Sequence, residues 1–422
     1  MRAPTAVLLI LFAGACGDPP EGTIQIVTGE ETDVFTRAPA PVLLVAQKIA
    51  SDGTRTELSR SSLPRDNLDI GNLSRTEIGA VAIAGLDASG ATLVRGTSLF
   101  VQWGALETTT LEVFAQRTGE LARMPRGPVA LDATSALTVA GRWILAAAGT
   151  QTAVYDLLTL RALASTPPLP RPAQSLAVVS TTALVVDGAG ASTVDLSTGS
   201  TSTFEAPEGG TFAEVAGGKR VLASDGAQYI VGGTRASGGP SARILVIDAD
   251  GKATFAALTA AREGACATWV DGRGLVVYGG DAAAPGAEVL ATKATIAAPL
   301  PFAPDPVRGC AAATLDSGHV AIAGGASETP VRVLDLASAA GCAPAAWPDR
   351  LPLVRAEATR LAADAVFVLG DDAPAASHAF RVTSAGSKEI PIRVPRRGAR
   401  LVAAPLGTVV LGGAAGIEQY VE

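Results

Sequence analysis

Seven short apolar runs in this chain end in Gly-Gly or a near copy of it, at a nearly constant interval. The dyads begin at Ala148, Asp187, Gly232, Gly279, Gly324, Gly370 and Gly412, with spacings of 39, 45, 47, 45, 46 and 42 residues and a mean of 44. A unit of roughly 40 to 50 residues built of short β-type runs cannot cover its own faces, so units at that period stack radially as the blades of a β-propeller. Composition agrees. With 46 Gly and 27 Pro in 422 residues the chain is broken too often for long helices, and Val, Ile and Thr fill the intervals.

Each unit opens near an Arg, runs through one apolar strand, turns, rises through a second to the dyad and continues after a loop into a third. The fourth unit shows the pattern: Arg262-Glu263-Gly264-Ala265-Cys266-Ala267, the turn Asp271-Gly272, Leu275-Val276-Val277-Tyr278-Gly279-Gly280, then Glu288-Val289-Leu290. Parallel pieces recur at Arg308-Gly309-Cys310 with Val320 to Gly325, and at Val154-Tyr155-Asp156, Val194-Asp195 and Val246-Ile247-Asp248. In these motifs residues 120–422 resemble the kelch repeat family, with Tyr155 and Tyr420 near the family's tyrosine place. Ala148-Gly149, Asp187-Gly188 and Gly370-Asp371 depart from its double glycine. Glycine suits the dyad because it reaches positive φ freely and lets neighbouring backbone approach.

The last unit supplies Arg400 to Ala403, Val409 to Leu411 and Ile417 to Val421, one strand short of a blade. The first unit is preceded by an orphan strand at 120–124, after Thr118-Gly119. Pairing that strand with the last three completes a seventh blade and removes an open sheet edge. The expected domain is therefore 118–422 with seven blades; six blades with one unit outside the ring is the alternative.

Ahead of it, 23–117 lacks the period but holds about eight short β-type runs, with turns at Asp52-Gly53 and Ser89-Gly90. This suits an all-β unit, a small β-sandwich of immunoglobulin-like size, serving as a spacer or an adhesive module. Residues 1–15 read as an export signal: Arg2, an apolar stretch from Ala6 to Ala13 too short to span a bilayer, then Gly14 and Ala15. With Cys16 next and a polar tether through residue 22, the segment resembles a bacterial lipoprotein signal, although Ala13 stands where the family usually has Leu. The resemblance implies an acylated Cys16 and a cell-envelope lipoprotein, on the outer membrane, facing the periplasm or the outside.

The formal net charge of −7 and the lack of any Lys/Arg run leave no footprint for nucleic acid. His319 and His378 are too few and too far apart for a triad or for the ligand set of kelch-type copper oxidases, so a structural role is expected of each and neither a metal nor another cofactor is expected. Asp248-Ala249-Asp250-Gly251 lacks the downstream glutamate of a calcium loop and suits a hairpin turn. Cys266 and Cys310 precede their dyads by 13 and 14 residues, nearly equivalent places on adjacent inner strands. A 266–310 bridge, a bridge involving Cys342, and buried free thiols are the three readings.

Arg171, Arg262, Arg308, Arg355 and Arg397 stand 15 to 17 residues before their dyads, on the face that also carries the loops with Arg235, Asp281, Glu328, Asp371 and Asp372. Such a ring of guanidinium forks suits carboxylate-bearing peptides or acidic sugars; alternatively each arginine pairs with a neighbouring acid or carbonyl and locks the ring. The expected function is a monomeric, membrane-anchored, non-catalytic scaffold that binds a protein or glycan. The alternative is an envelope enzyme acting on carbohydrate, which needs clustered carboxylates in the channel mouth.

Overall fold

The structure is a computed structural model that describes residues 7–10, 24–64, 74–107, 110–131, 136–164, 166, 168–196, 198–233, 238–280, 285–326, 328–337 and 343–422. Seven four-stranded antiparallel sheets follow one another along the chain. Blade 1 spans 136–162, blade 2 175–204, blade 3 219–262, blade 4 266–300, blade 5 311–351 and blade 6 355–390. Blade 7 joins 400–420 to Leu121–Arg123, so the six-bladed alternative falls.

The first strands of successive blades neighbour one another around the whole ring, and that of blade 7 meets that of blade 1. They therefore line the axis. The second strands are buried along most of their length, Gly274–Tyr278 along all of it, because a blade covers each face, which is why the sequence shows continuous apolar runs there. Outer strands such as Thr201–Phe204 meet solvent and are polar. Each gap between neighbouring blades holds its own apolar cluster. Leu176 and Val185 pack against Leu145 between blades 1 and 2, and Ile144 and Tyr155 against Val409 and Leu411 between blades 7 and 1.

The dyads end the second strands where backbone crowds the ring. Gly279 and Gly280 have φ of +74° and +84°, and a Cβ on Gly279 would lie 2.7 Å from the Val307 carbonyl oxygen. No L side chain fits that conformation and that gap without strain.

Closure uses the register Glu418↔Arg123, Gln419↔Ala122 and Tyr420↔Leu121. Gly119 N–H donates to Val421 O at 2.8 Å and Met124 N–H to Ile417 O at 2.9 Å, which extends the seam at both ends.

The N-terminal β unit forms one curled sheet of eight strands around Ile24, Ile26, Leu44, Val81, Ile83, Val94, Trp103 and Val113. Within it Leu111–Arg117 runs parallel to Ile24–Val27 and antiparallel to Thr92–Thr97. Val7–Ile10, inside the N-terminal apolar stretch, pairs with Ile24–Val27 at the edge of this sheet. The unit is docked on the closing seam. Phe114 enters the cluster between blades 7 and 1, Gln116 Nε2 donates to Gln419 O at 3.0 Å, and Glu31 accepts from both the backbone N–H and Nε of Arg123 at 2.8 Å.

Candidate functional site

The inner strands enclose an axial channel of about 1180 Å³. Small side chains such as Ala136, Ala267, Ala311 and Ala313 keep it open, and glycines 188, 217, 218, 232, 264 and 309 line its dyad-side mouth. Its charged lining is one-sided: Lys219, Arg220, Arg355, Arg360 and Arg400 against Glu357 and Asp271. Both acids have partners. Glu357 accepts from Arg400 Nη1 at 2.7 Å and from the Leu401 N–H, and Asp271 accepts from Trp269 Nε1 at 2.9 Å and from Ser224 Oγ.

Lys219 opens the inner strand of blade 3 and reaches across the axis. Its Nζ donates to Cys310 O and, at 3.0 Å, to Ala356 O, linking blade 3 to blades 5 and 6. Desolvation by the channel wall, opposed by Glu357 and assisted by Arg400 and Arg355, brings its pKa down to about 8. An ammonium held by neutral carbonyls in a cation-rich channel favours an anion beside it.

The dyad-side arginines divide by partner. Arg262 is fully buried; Nε donates to Glu288 Oε1 at 3.0 Å, and the two Nη atoms donate to the carbonyls of Gly279 and Pro285. Blade 7 repeats the arrangement with Arg396: Nε to Glu418 Oε1 at 2.9 Å, Nη1 to Gly412 O at 3.0 Å and Nη2 to Gly416 O at 3.3 Å. The neighbouring Arg397 is exposed. Arg171 pairs with Asp187 at 2.8 Å and with Ser192, and Arg308 crosses to Glu263 of the preceding unit at 2.9 Å. Arg355 pairs with Asp371 at 2.5 Å and, of these five sequence candidates, it alone lines the channel.

Cys266 and Cys310 are joined by a disulfide with a Cα–Cα distance of 5.3 Å, tying the inner strands of blades 4 and 5. Cys16, Cys342, Arg235 and Asp281 lie outside the described residues. His319 sits on Asp316 at 2.9 Å, whereas His378 lies between Asp372 at 3.2 Å and Glu389 at 2.9 Å. Glu389, first, and Asp372 raise the His378 pKa against a smaller opposing effect of burial. Among the described residues no three His, Cys, Asp or Glu side chains form a group that could hold a metal ion, and no helix is long and apolar enough to cross a membrane.

Sequence reasoning passed over Lys219 and Arg220. The available signal was Gly217-Gly218-Lys219-Arg220, a pair of cations where the other inner strands begin with small or apolar residues or a single arginine.

Fold and channel define the class: a seven-bladed β-propeller protein with a docked N-terminal β unit. No protein-family model and no curated protein matches the chain. Among solved structures it is similar to a chain of a mitotic checkpoint complex, with 12% identity, a TM-score of 0.48, and 72% of this chain and 95% of that one covered. A fungal alcohol oxidase of the AA5 family in complex with copper shares 16% identity at a TM-score of 0.43, over 71% of this chain and 61% of that one. A computationally designed protein, Ika8, shares 11% at 0.43, over 70% and 100%.

Proposed function

We propose that the protein is a kelch-type propeller lipoprotein of the bacterial cell envelope, anchored through Cys16, that binds an acidic protein or glycan without chemically changing it. The supporting observation is the electrostatic contrast. A chain of formal net charge −7 encloses a channel whose lining carries five cations and two acids, both acids already engaged. A low-dielectric passage of one sign concentrates ligands of the other. Channel carboxylates that are hydrogen-bonded to Arg400, Trp269 and Ser224 are held as structural acceptors, which favours the non-catalytic reading over hydrolysis of a glycan.

Fluorescent hexaglutamate titrated into the purified protein tests the channel. The expected result is saturable binding that weakens steeply with salt and falls about tenfold in Lys219→Met. No saturable binding, or equal affinity in that variant, overturns the channel reading. Shaving intact cells with protease, beside a Cys16→Ser control, tests the anchor. Loss of the variant to soluble fractions supports it, and an unchanged distribution removes it.

A further inference from the structure

A second cavity, of about 410 Å³, opens on the opposite face of the ring between blades 1, 2 and 3. Its rim comes from the turns joining first to second strands, at Gly141-Arg142, Ser180-Thr181 and Gly226, the blade ends remote from the dyads. Its size is that of a small-molecule pocket, roughly 300 to 1,000 Å³. Trp143, Gln228 and Arg220 form its wall, with Arg220 also lining the channel.

Arg220 is the unusual member. Nε donates to Gln228 Oε1 at 2.7 Å, and Gln228, only 1% exposed, is itself fixed because the same oxygen accepts from Val178 N–H at 3.1 Å while Nε2 donates to Val178 O. The two Nη groups have no partner among the described residues, and no carboxylate offsets the charge. Burial alone brings the guanidinium down to about 10. Arg262 and Arg396, by contrast, each have a buried glutamate and two carbonyls. An arginine with its terminal fork free and its counter-ion missing is arranged for bidentate contact with a carboxylate.

The surroundings specify what carries that carboxylate. Trp143 brings its half-buried indole to the wall, one ring face covered by the Arg142 guanidinium 4.3 Å from its centroid, and Ser180 and Thr181 stand at the rim. An extended peptide would need an open strand edge, and the Gln228 amide already occupies the N–H and C=O of Val178 on that edge. We propose that this cavity binds a carboxylated pyranose, a uronic-acid unit of a polysaccharide, with its carboxylate on the free fork of Arg220 and its apolar C–H groups against the part of the Trp143 indole that lines the wall.

The site shares Arg220 with the channel lining but not Lys219, so Lys219→Met separates the two readings in experiment. Isothermal titration of the purified full chain with trigalacturonate should show saturable binding, about tenfold or more stronger than with the carboxyl-reduced trisaccharide. Arg220→Met and Trp143→Leu should each weaken it about tenfold, while Lys219→Met leaves it within about twofold. If Arg220→Met fails to fold, Arg220→Lys, which keeps the charge and loses the fork, is expected to show the same loss. No saturable binding, or binding unchanged in both the Arg220 and Trp143 variants, overturns the site. Hexaglutamate displacing trigalacturonate from the Lys219→Met protein at equal concentration overturns the sugar assignment in favour of an acidic peptide.

Discussion

The inner strands of blades 4 and 7 are each preceded by a buried arginine, Arg262 at the end of blade 3 and Arg396 in the loop entering blade 7, whereas the inner strand of blade 3 itself begins with Lys219 and Arg220. The first two arginines meet Glu288 or Glu418 and two backbone carbonyls, so every buried polar atom is used. The blade 3 cations meet only neutral oxygens. Two neighbouring places in the repeat, 16 to 17 and 12 to 13 residues before the dyad, thus serve two purposes: a charge with its counter-ion is locked inside the ring, and a charge without one is held ready for something outside the chain. The difference lies in the partner and in the place: the locked arginines precede an inner strand, and the blade 3 cations stand on one.

The comparison breaks most visibly at the locked blades. Glu288→Gln leaves Arg262 buried without a counter-ion, and a loss of about 3 to 5 kcal/mol is expected, read from chemical denaturation. An equal loss from Arg220→Met would abolish the distinction. That substitution removes an uncompensated buried charge, so its melting temperature should equal or exceed that of the wild type.

Removing the Cys266–Cys310 bridge by a double Ala substitution tests whether fastening by covalent bond differs from fastening by charge. With a sequence separation of 44 between the cysteines, the chain-entropy estimate is a loss of about 4 kcal/mol, less any native strain. Lys219 sharpens the other side. Its pKa is lowered on folding to about 8, so the unfolded chain binds more protons as pH rises from there to the ordinary lysine value. The cost of burying the charge is full below pH 8 and fades above it. A Lys219→Met protein should therefore melt above the wild type at pH 7, with the gap narrowing by pH 10.

The smallest effect belongs to His378, whose pKa is raised by Glu389 and Asp372. Its contribution is complete below about pH 6.5 and is lost as pH rises through the raised value. His378→Gln should lower the melting temperature at pH 5.5 and leave it nearly unchanged at pH 8.5.

The ring was legible because its determinants are local and repeated. A dyad at the end of an apolar run marks a second strand in any blade, and the orphan strand at 120–124 matches Leu121–Arg123 to within two residues. The channel was harder to read. Arg396 and Arg397 are adjacent, and only the register of the loop entering blade 7 turns the first inward onto Glu418 and leaves the second in solvent. Lys219 acts on carbonyls 91 and 137 residues away, a contact no sequence window contains. The curl of the N-terminal sheet follows from pairing order, in which Leu111–Arg117 inserts between Ile24–Val27 and Thr92–Thr97, and alternation of residues along single strands does not encode that order.

The closing seam also sets an order of events in time. Gln116 and Gln419 are hydrogen-bonded across 303 residues of chain, so a polypeptide emerging N-terminus first presents Leu121–Arg123 long before Ile417–Tyr420 exists to receive it. Blades 1 to 6 can zip as they appear, each from its own consecutive strands, but the early strand must wait with its ladder groups open until Ile417–Tyr420 arrives. A chain halted between residues 390 and 417 therefore leaves six finished blades and an early strand with a vacant edge, a template for pairing with a second unfinished chain.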